Sequence, residues 1–357
     1  MSVTAPLQPT RLYVAAPDDV ALLEQELAAS FPTGRHTRLT DRLVASTLDA
    51  ADSERCVAVA FAAQCLTQPR LQQAESVSQH AAALFAAIDE AFADDAVVPW
   101  RLHLYSLDAP QPRTRRAQLI GDALDELLAK RRRSLRRQRV VDESAPMGPN
   151  EAVVQLALVS PTLGWLSVTP ATARFPVRRV LSRFVGGLAP EPTWDQRPPS
   201  RAYLKLVESL AHMGTSFRPE ETCVDLGGSP GGWTFVALDQ GAHVTAVDRS
   251  ALDASVMEHP ACSFVRGDAF RYAPAEPVDW LLCDVIATPD KNLALLDRWL
   301  GERWCRRFLV TLKFKGEPSM AILLSAKQML ERHGVAYALR RLQANKNEVS
   351  IFGEVSP

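Results

Sequence analysis

The chain has 357 residues, with 40 lysines and arginines against 41 aspartates and glutamates, a formal net charge of −1. That length accommodates two or three domains, and 47% hydrophobic against 23% charged residues excludes a disordered or fibrous chain. A balance near zero also argues, at first sight, against a nucleic-acid partner, because phosphate binding usually shows as basic excess.

In chain order, RLYVAA (11–16) reads as a strand, followed by a Pro-Asp-Asp turn and a helix over ALLEQELAASF (21–31). CVAVAFAA (56–63) and WRLHLYSL (100–107) read as strands, residues 71–93 as an amphipathic helix and 114–138 as a long one. Residues 151–169 read as a hairpin around Pro161-Thr162. Strands mixed with helices, and no Gly-rich loop, predict an α+β module with no obvious catalytic site.

Charge is segregated within this region. Residues 113–139 carry ten basic side chains and three acidic ones, the rest of 1–195 eleven against nineteen, and 196–357 nineteen of each. Arg131, Arg132, Arg133, Arg136 and Arg137 are the densest part of the stripe. A solvated helix face would look the same, but ten like charges repel unless something anionic neutralises them. The stripe is therefore a local electrostatic footprint for an anionic partner, which the net charge conceals. The proline-dense LAPEPTWDQRPPS (188–200) marks a boundary, so the expected division is 1–190, a linker at 191–200, and a second domain over 201–357.

Beyond Ser200 the pattern becomes regular α/β alternation. A helix from Arg201 to about Met213 precedes strand TCVDLG (222–227), the loop SPGG and helix WTFVALDQ. Strands HVTAVD (243–248), SFVRGD (263–268) and VDWLLCDVI (278–286) follow. Then come helix LALLDRWLGERW, strand RFLVTLKF (307–314), helix 319–333, and strands near 335–342 and 348–353. Repeated units of this length predict a doubly wound, Rossmann-like parallel sheet with antiparallel C-terminal strands.

The loop Asp225-Leu226-Gly227-Gly228-Ser229-Pro230-Gly231-Gly232-Trp233 lies where a first strand meets its helix, the place for a ligand to approach the backbone closely. Ser229 takes the position of the second glycine of the dinucleotide fingerprint, and the loop lacks the GK[ST] of a P-loop. Asp225 would repel a pyrophosphate but favour the ammonium and sulfonium of S-adenosylmethionine. Asp248, 23 residues on, is placed for ribose hydroxyls, and Asp268 for an adenine amino group. Each Asp alone could be a helix or turn cap; three at successive strand ends beside this loop make a coherent nucleoside site. Trp233 is grouped with the loop, although its ring is expected to pack on the helix.

Of the 40 basic residues only seven are lysines: Lys130, Lys205, Lys291, Lys313, Lys315, Lys327 and Lys346. An amine can lose its proton and a guanidinium cannot, so these positions are candidates for chemistry. Six widely spaced cysteines (Cys56, Cys65, Cys223, Cys262, Cys283, Cys305) without CxxC or histidine-rich spacing read as buried or free thiols, with no metal site or disulfide frame. No apolar run approaches about 18 residues and no signal pattern opens the chain, so a soluble, cytoplasmic protein is expected, a monomer and without a membrane partner.

PSRAYLKL (199–206), DLGGSPGGW (225–233), CDV (283–285), LKFKG (312–316) and NEVSIF (347–352) resemble the motifs of FtsJ/RrmJ-type ribose 2′-O-methyltransferases, in particular those that modify a cytidine of 23S ribosomal RNA. The motifs cover about 198–353; the N-terminal part is similar to that family mainly in size and layout, where a THUMP domain with a small ferredoxin-like element precedes the catalytic domain. The resemblance implies S-adenosylmethionine as cofactor, the Asp284 region beside it, and a Lys-Asp-Lys-Glu catalytic set at Lys205, Asp284, Lys313 and Glu348. A ribose 2′-hydroxyl is a poor nucleophile and must lose its proton as the methyl transfers in line. Lys313 is expected to be the base or orienter, with Asp284 and Glu348 holding the amines and balancing their charge. Lys315 and Lys346 flank the set and are expected to touch phosphate. The alternatives are the same chemistry on another RNA such as tRNA, an RNA-binding or assembly protein with a vestigial methyltransferase domain, and a small-molecule methyltransferase.

Overall fold

The computed structural model describes residues 8–16, 18–55, 57–92, 98–109, 113–142, 145, 147, 148, 150–170, 181–190, 192 and 194–355. The chain divides into two compact units, Met1–Leu188 and Ala189–Pro357.

The first unit is α+β and holds two sheets. Strands β1 (Arg11–Ala15), β2 (Arg35–Arg38), β3 (Leu43–Thr47) and β4 (Ala62–Thr67) form an antiparallel sheet in the order β2-β3-β1-β4, with helices α1 (Val20–Ser30) and α2 (Ala50–Glu54) in the connections. The second sheet contains β5 (Arg70–Gln73), β6 (Trp100–Ser106), β7 (Arg139–Val140), β8 (Ala152–Leu158) and β9 (Leu163–Thr169) in the order β5-β9-β8-β6-β7. Helices α3 (Val77–Ala91), α4 (Arg115–Arg131) and α5 (Arg133–Gln138) accompany it. Leu84 and Ile88 of α3 and Ile120, Leu124 and Leu128 of α4 are fully buried with Trp100 and Val154 in one core. Their three- and four-residue spacing is the apolar stripe of an amphipathic helix.

Several sequence expectations need correction here. Residues 57–61 are buried but not a strand, which begins at Ala62. The carboxylate of Glu26 accepts the N–H groups of Ala60 (2.9 Å) and Phe61 (3.0 Å), so these donors go to a side chain and not a ladder. Cys56 lies outside the described residues. The expected helix over 71–93 is a strand through Gln73 and a helix only from Val77, where Ser76 accepts the N–H of Gln79 at 3.2 Å. Nor is the basic helix continuous. Arg132 leaves helical geometry (φ −141°, ψ 64°), and its guanidinium reaches Asp89 (2.5 Å) and the Phe92 carbonyl (3.0 Å). Strands β2 and β3, with polar or small residues at most positions, were not read from the sequence.

The second unit is a doubly wound α/β domain. Helix α6 (Tyr203–Met213) precedes β10 (Thr222–Leu226), α7 (Gly232–Asp239), β11 (His243–Asp248), α8 (Ala254–Met257), β12 (Cys262–Arg266) and β13 (Val278–Cys283). Then follow α9 (Pro289–Gly301), β14 (Cys305–Lys313), α10 (Met320–Arg332), β15 (Ala336–Arg340) and β16 (Glu348–Glu354). The sheet order is β12-β11-β10-β13-β14-β16-β15, with β16 antiparallel to both neighbours and the other pairs parallel. Continuous apolar runs such as Trp280–Cys283 and Phe308–Val310 are fully buried, as strands covered on both faces require. The strand order reverses between β10 and β13, and open α/β sheets bind ligands outside the carboxyl ends of the strands at that point. The glycine loop and Asp284 both lie there.

Candidate active site

Four elements bring the four predicted catalytic side chains together. Lys205 stands in the first turn of α6, Asp284 follows the end of β13, Lys313 ends β14 and Glu348 opens β16. Lys313 and Glu348 are directly paired in the antiparallel register. The Lys205 ammonium donates to both Asp284 oxygens (2.8 and 2.7 Å) and to Glu348 Oε2 (3.1 Å), which uses all three of its hydrogens. Lys313 Nζ donates to the Asp284 carbonyl (2.7 Å) and lies 3.0 Å from Asp284 Oδ1. Among the described residues its third position is left open, as is Glu348 Oε1. The formal charges of the four cancel, which a site whose side chains are only 9–18% exposed demands.

Two residues that the sequence reading did not single out fix this cluster. Asn292, fully buried in α9, donates from Nδ2 to the Val285 carbonyl (3.2 Å) and the Thr311 carbonyl (2.9 Å), tying the Asp284 loop to β14. Glu208, one turn beyond Lys205, accepts the N–H groups of Gln343 (2.9 Å) and Ala344 (3.0 Å) and so holds the segment leading to Glu348. Burial raises the Glu208 pKa above its ordinary value. Their only sequence signals were a polar residue at a core-facing helix position in each case.

The glycine loop behaves as a cradle. Gly227 has φ +77°, and a Cβ there would meet Val285 Cγ2 at 2.7 Å, so a side chain would push on the Asp284 loop. Gly228 leaves its backbone bare beside Asp225, where a Cβ would come within 3.3 Å of Asp225 Oδ2. Ser229 donates its N–H to Asp248 Oδ2 (3.2 Å), and its hydroxyl to the Ala251 carbonyl (2.9 Å). The Pro230 carbonyl accepts the Asp253 N–H at 2.9 Å, Gly231 has φ +118°, and Gly232 starts α7 against Ser200.

Asp225 is interior, 1% exposed, with Thr234 donating to its Oδ2 at 2.6 Å. Burial, then the nearby Asp284 and Asp248 charges, push its carboxyl up to about 7. A cationic ligand group at this end of the sheet would offset that cost, whereas a pyrophosphate would add to it. Asp248 also accepts the Ser250 N–H (2.8 Å). Asp268 lies two residues beyond the end of β12; it accepts from Phe270 N–H (3.0 Å) and Arg249 (2.8 Å), which hold its pKa below the ordinary value. Trp233 is core: 3% exposed, its indole N–H donates to the Ala202 carbonyl at 2.7 Å, which docks α7 on the start of α6.

In the first unit, the basic side chains are unequal. Arg132 is taken up by Asp89, and Arg136 makes a forked pair with Asp125 (2.7 Å for its shortest bond). Arg131 lies over Phe85, and Arg133 donates to the Ala129 carbonyl. Arg137 is exposed without an ion pair among the described residues. An open groove of about 1340 Å³ is lined by Arg113, Arg115, Arg133, Arg136, Arg137 and Arg139, among others. In the second unit, Lys315 and Lys346 are exposed on the segments next to Lys313 and Glu348.

Among the described residues no group of three or more His, Cys, Asp or Glu is placed to hold a metal ion, and no helix is long and apolar enough to cross a membrane. Cys65, Cys223, Cys262, Cys283 and Cys305 are free thiols.

Residues 198–301 match the FtsJ-like methyltransferase family. The second unit thus has a Rossmann-like sheet, and residues 198–301 within it are similar to FtsJ-like methyltransferases, a class that takes its methyl group from S-adenosylmethionine. The chain is similar to proteins named ribosomal RNA large subunit methyltransferase M. It is 35% identical to that of Stutzerimonas stutzeri over 162 residues, 44% of this chain and 46% of the relative. Identity is 38% over 149 residues with that of Pseudomonas fluorescens Pf-5 (40% and 41% covered), and 30% over 205 residues with that of Halorhodospira halophila (52% and 60%). The chain therefore spans less than half the length of the first curated relatives it matches.

Proposed function

We propose that this protein is an S-adenosylmethionine-dependent methyltransferase of a ribose 2′-hydroxyl in RNA, its target a cytidine of 23S ribosomal RNA. The observation that carries the reading is the pair of positions left open, among the described residues, on Lys313 and Glu348, which are register partners on β14 and β16 and share Asp284 and Lys205 as neighbours. S-adenosylmethionine, when bound, supplies a methyl group on a positively charged sulfur. Gly227, Gly228, Ser229 and Asp248 would hold it, with Asp225 countering its positive charge from behind.

The chain's own residues then act on the hydroxyl. Lys313, having first passed one proton to solvent, takes the 2′-hydroxyl proton at Nζ, while its bond to the Asp284 carbonyl fixes the direction of its lone pair. Glu348 Oε1 accepts a hydrogen bond from the same ribose and orients it. Asp284 and Lys205 hold the two groups in register, and the formal charge of the cluster returns from −1 to zero as Lys313 takes the proton.

The first unit would be a THUMP-like RNA-binding region over 1–190, joined through 191–200 to the catalytic domain at 201–357. Arg131, Arg133, Arg136 and Arg137, with Lys315 and Lys346 near the site, would contact phosphates, which position RNA without reading its sequence. The relatives' names, which specify ribosomal RNA, support this substrate over tRNA. The protein would act as a cytoplasmic monomer. Mass-spectrometric mapping of 23S rRNA from a strain lacking the gene tests the reading. One 2′-O-methylcytidine should revert to cytidine; an unchanged 23S rRNA would contradict it.

A further inference from the structure

We propose that Trp194 and Arg201 form a stacking subsite for an unpaired RNA base next to the nucleotide presented to Lys313; the inference rests on the RNA reading above. Trp194 is one of the largest apolar side chains on the surface, 54% exposed, yet it is not loosely held. Its ring lies 6.4 Å from that of the buried Tyr203, tilted by 56°. The adjoining Asp195 N–H donates to the Tyr203 hydroxyl at 2.9 Å, fixing the backbone beside the indole. The Arg201 guanidinium lies 5.3 Å from the indole centroid.

The two arginines here have opposite fates. Arg197 is consumed by Asp195 and Asp239, each at 2.8 Å, which leaves those carboxylates neutralised. Arg201 is exposed, and among the described residues its side chain has no ion pair and no hydrogen-bond acceptor. An indole with a planar cation held over it, and donors left free, matches what an unstacked nucleotide offers: a π face and a phosphate.

The position relative to the chemistry follows from the helix. Leu204 donates to the Arg201 carbonyl (3.2 Å) and Lys205 to the Ala202 carbonyl (3.1 Å), so the chain is already turning helically at Arg201. These are three-residue turn bonds that run directly into α6, so Arg201 lies four residues before Lys205 on the segment that starts the helix carrying it. A platform one turn from the catalytic lysine is placed for a neighbour of the target nucleotide, holding it out of the RNA stack.

The test compares binding of oligocytidylate with that of an abasic ribose-phosphate oligomer of the same length. The wild-type protein should prefer oligocytidylate, and W194A should lose about tenfold of that preference, with W194F recovering most of it. R201A should weaken binding of both oligomers. In the methyl-transfer assay on rRNA, W194A should raise KM far more than it lowers kcat, with affinity for S-adenosylhomocysteine unchanged. A W194A protein that keeps the wild-type preference for bases overturns the subsite. Equal losses for both oligomers also overturn it, since they would mean a general structural role. A wild-type protein that methylates no RNA overturns the proposed function and the subsite's role with it, whereas the first two outcomes are read from binding alone.

Discussion

The lysine cluster of the second unit and the arginine stripe of the first handle positive charge in opposite ways. Lys205 and Lys313 are largely buried, matched one for one by Asp284 and Glu348, and held at 2.7–3.1 Å. Arg133 and Arg137 are exposed without carboxylate partners among the described residues, while Arg132 and Arg136 are already paired. Burial makes charge balance compulsory, and a balanced cluster can present one amine in a fixed direction. Exposure makes balance optional, and the unmatched guanidiniums keep donors open to an anionic partner. A lysine suits the first setting and an arginine the second.

If the cluster works as derived, Lys313 is where the comparison breaks most visibly. K313A should lower methyl transfer by about 10³-fold or more, and K313R should not restore it, while isothermal titration finds cofactor affinity unchanged. Removing the shared anion is the next largest effect. D284N leaves two ammonium groups facing Glu348 alone and should cost about 3 kcal/mol in urea unfolding. An equivalent loss from the exposed stripe is not expected: D125N should leave stability within about 1 kcal/mol.

Asp225 adds a pH signature. Its folded pKa lies near 7, above the ordinary 3.8, so its contribution to stability is full below about 4 and lost as the pH rises through about 7. D225N removes that loss, so the melting temperature of the variant should gain on the wild type between about pH 4 and about pH 7 and level off above it. Between about pH 6 and about pH 8 wild-type affinity for S-adenosylmethionine should rise as the folded-state carboxylate forms, and the D225N curve should be flat.

The smallest effects belong to the stripe. Replacing Arg133 and Arg137 with serine should lower the salt slope of RNA binding by about 2 without changing sequence preference. D125N, which frees Arg136, should raise RNA affinity by roughly two- to fivefold at low salt. Filter binding across a salt series measures both.

How much of this was legible differs between the two units for a physical reason. In the second, apolar strand runs alternate with amphipathic helices, and nearly every element was readable, down to the strand ends carrying Asp225, Asp284 and Lys313. In the first, tertiary hydrogen bonds override local pattern. Glu26 takes the N–H groups that would have made 57–61 a strand, and Arg132 breaks a helix whose periodicity runs on past it. The catalytic set was legible as residue types in order, but not its wiring. No spacing indicates that Lys205 spends all three donors on carboxylates while Lys313 keeps one position open, nor that Asn292 and Glu208 hold the loops in place. Trp233 illustrates the reverse: it sits inside the motif, yet its indole serves the core.

The most direct test is in vitro. The purified protein is incubated with S-adenosylmethionine and 23S rRNA, and the nucleosides are separated by mass spectrometry. One 2′-O-methylcytidine per rRNA should form with the wild-type protein and none with K313A. Methyl groups appearing on a base instead of a ribose, or a K313A protein as active as the wild type, would contradict the account.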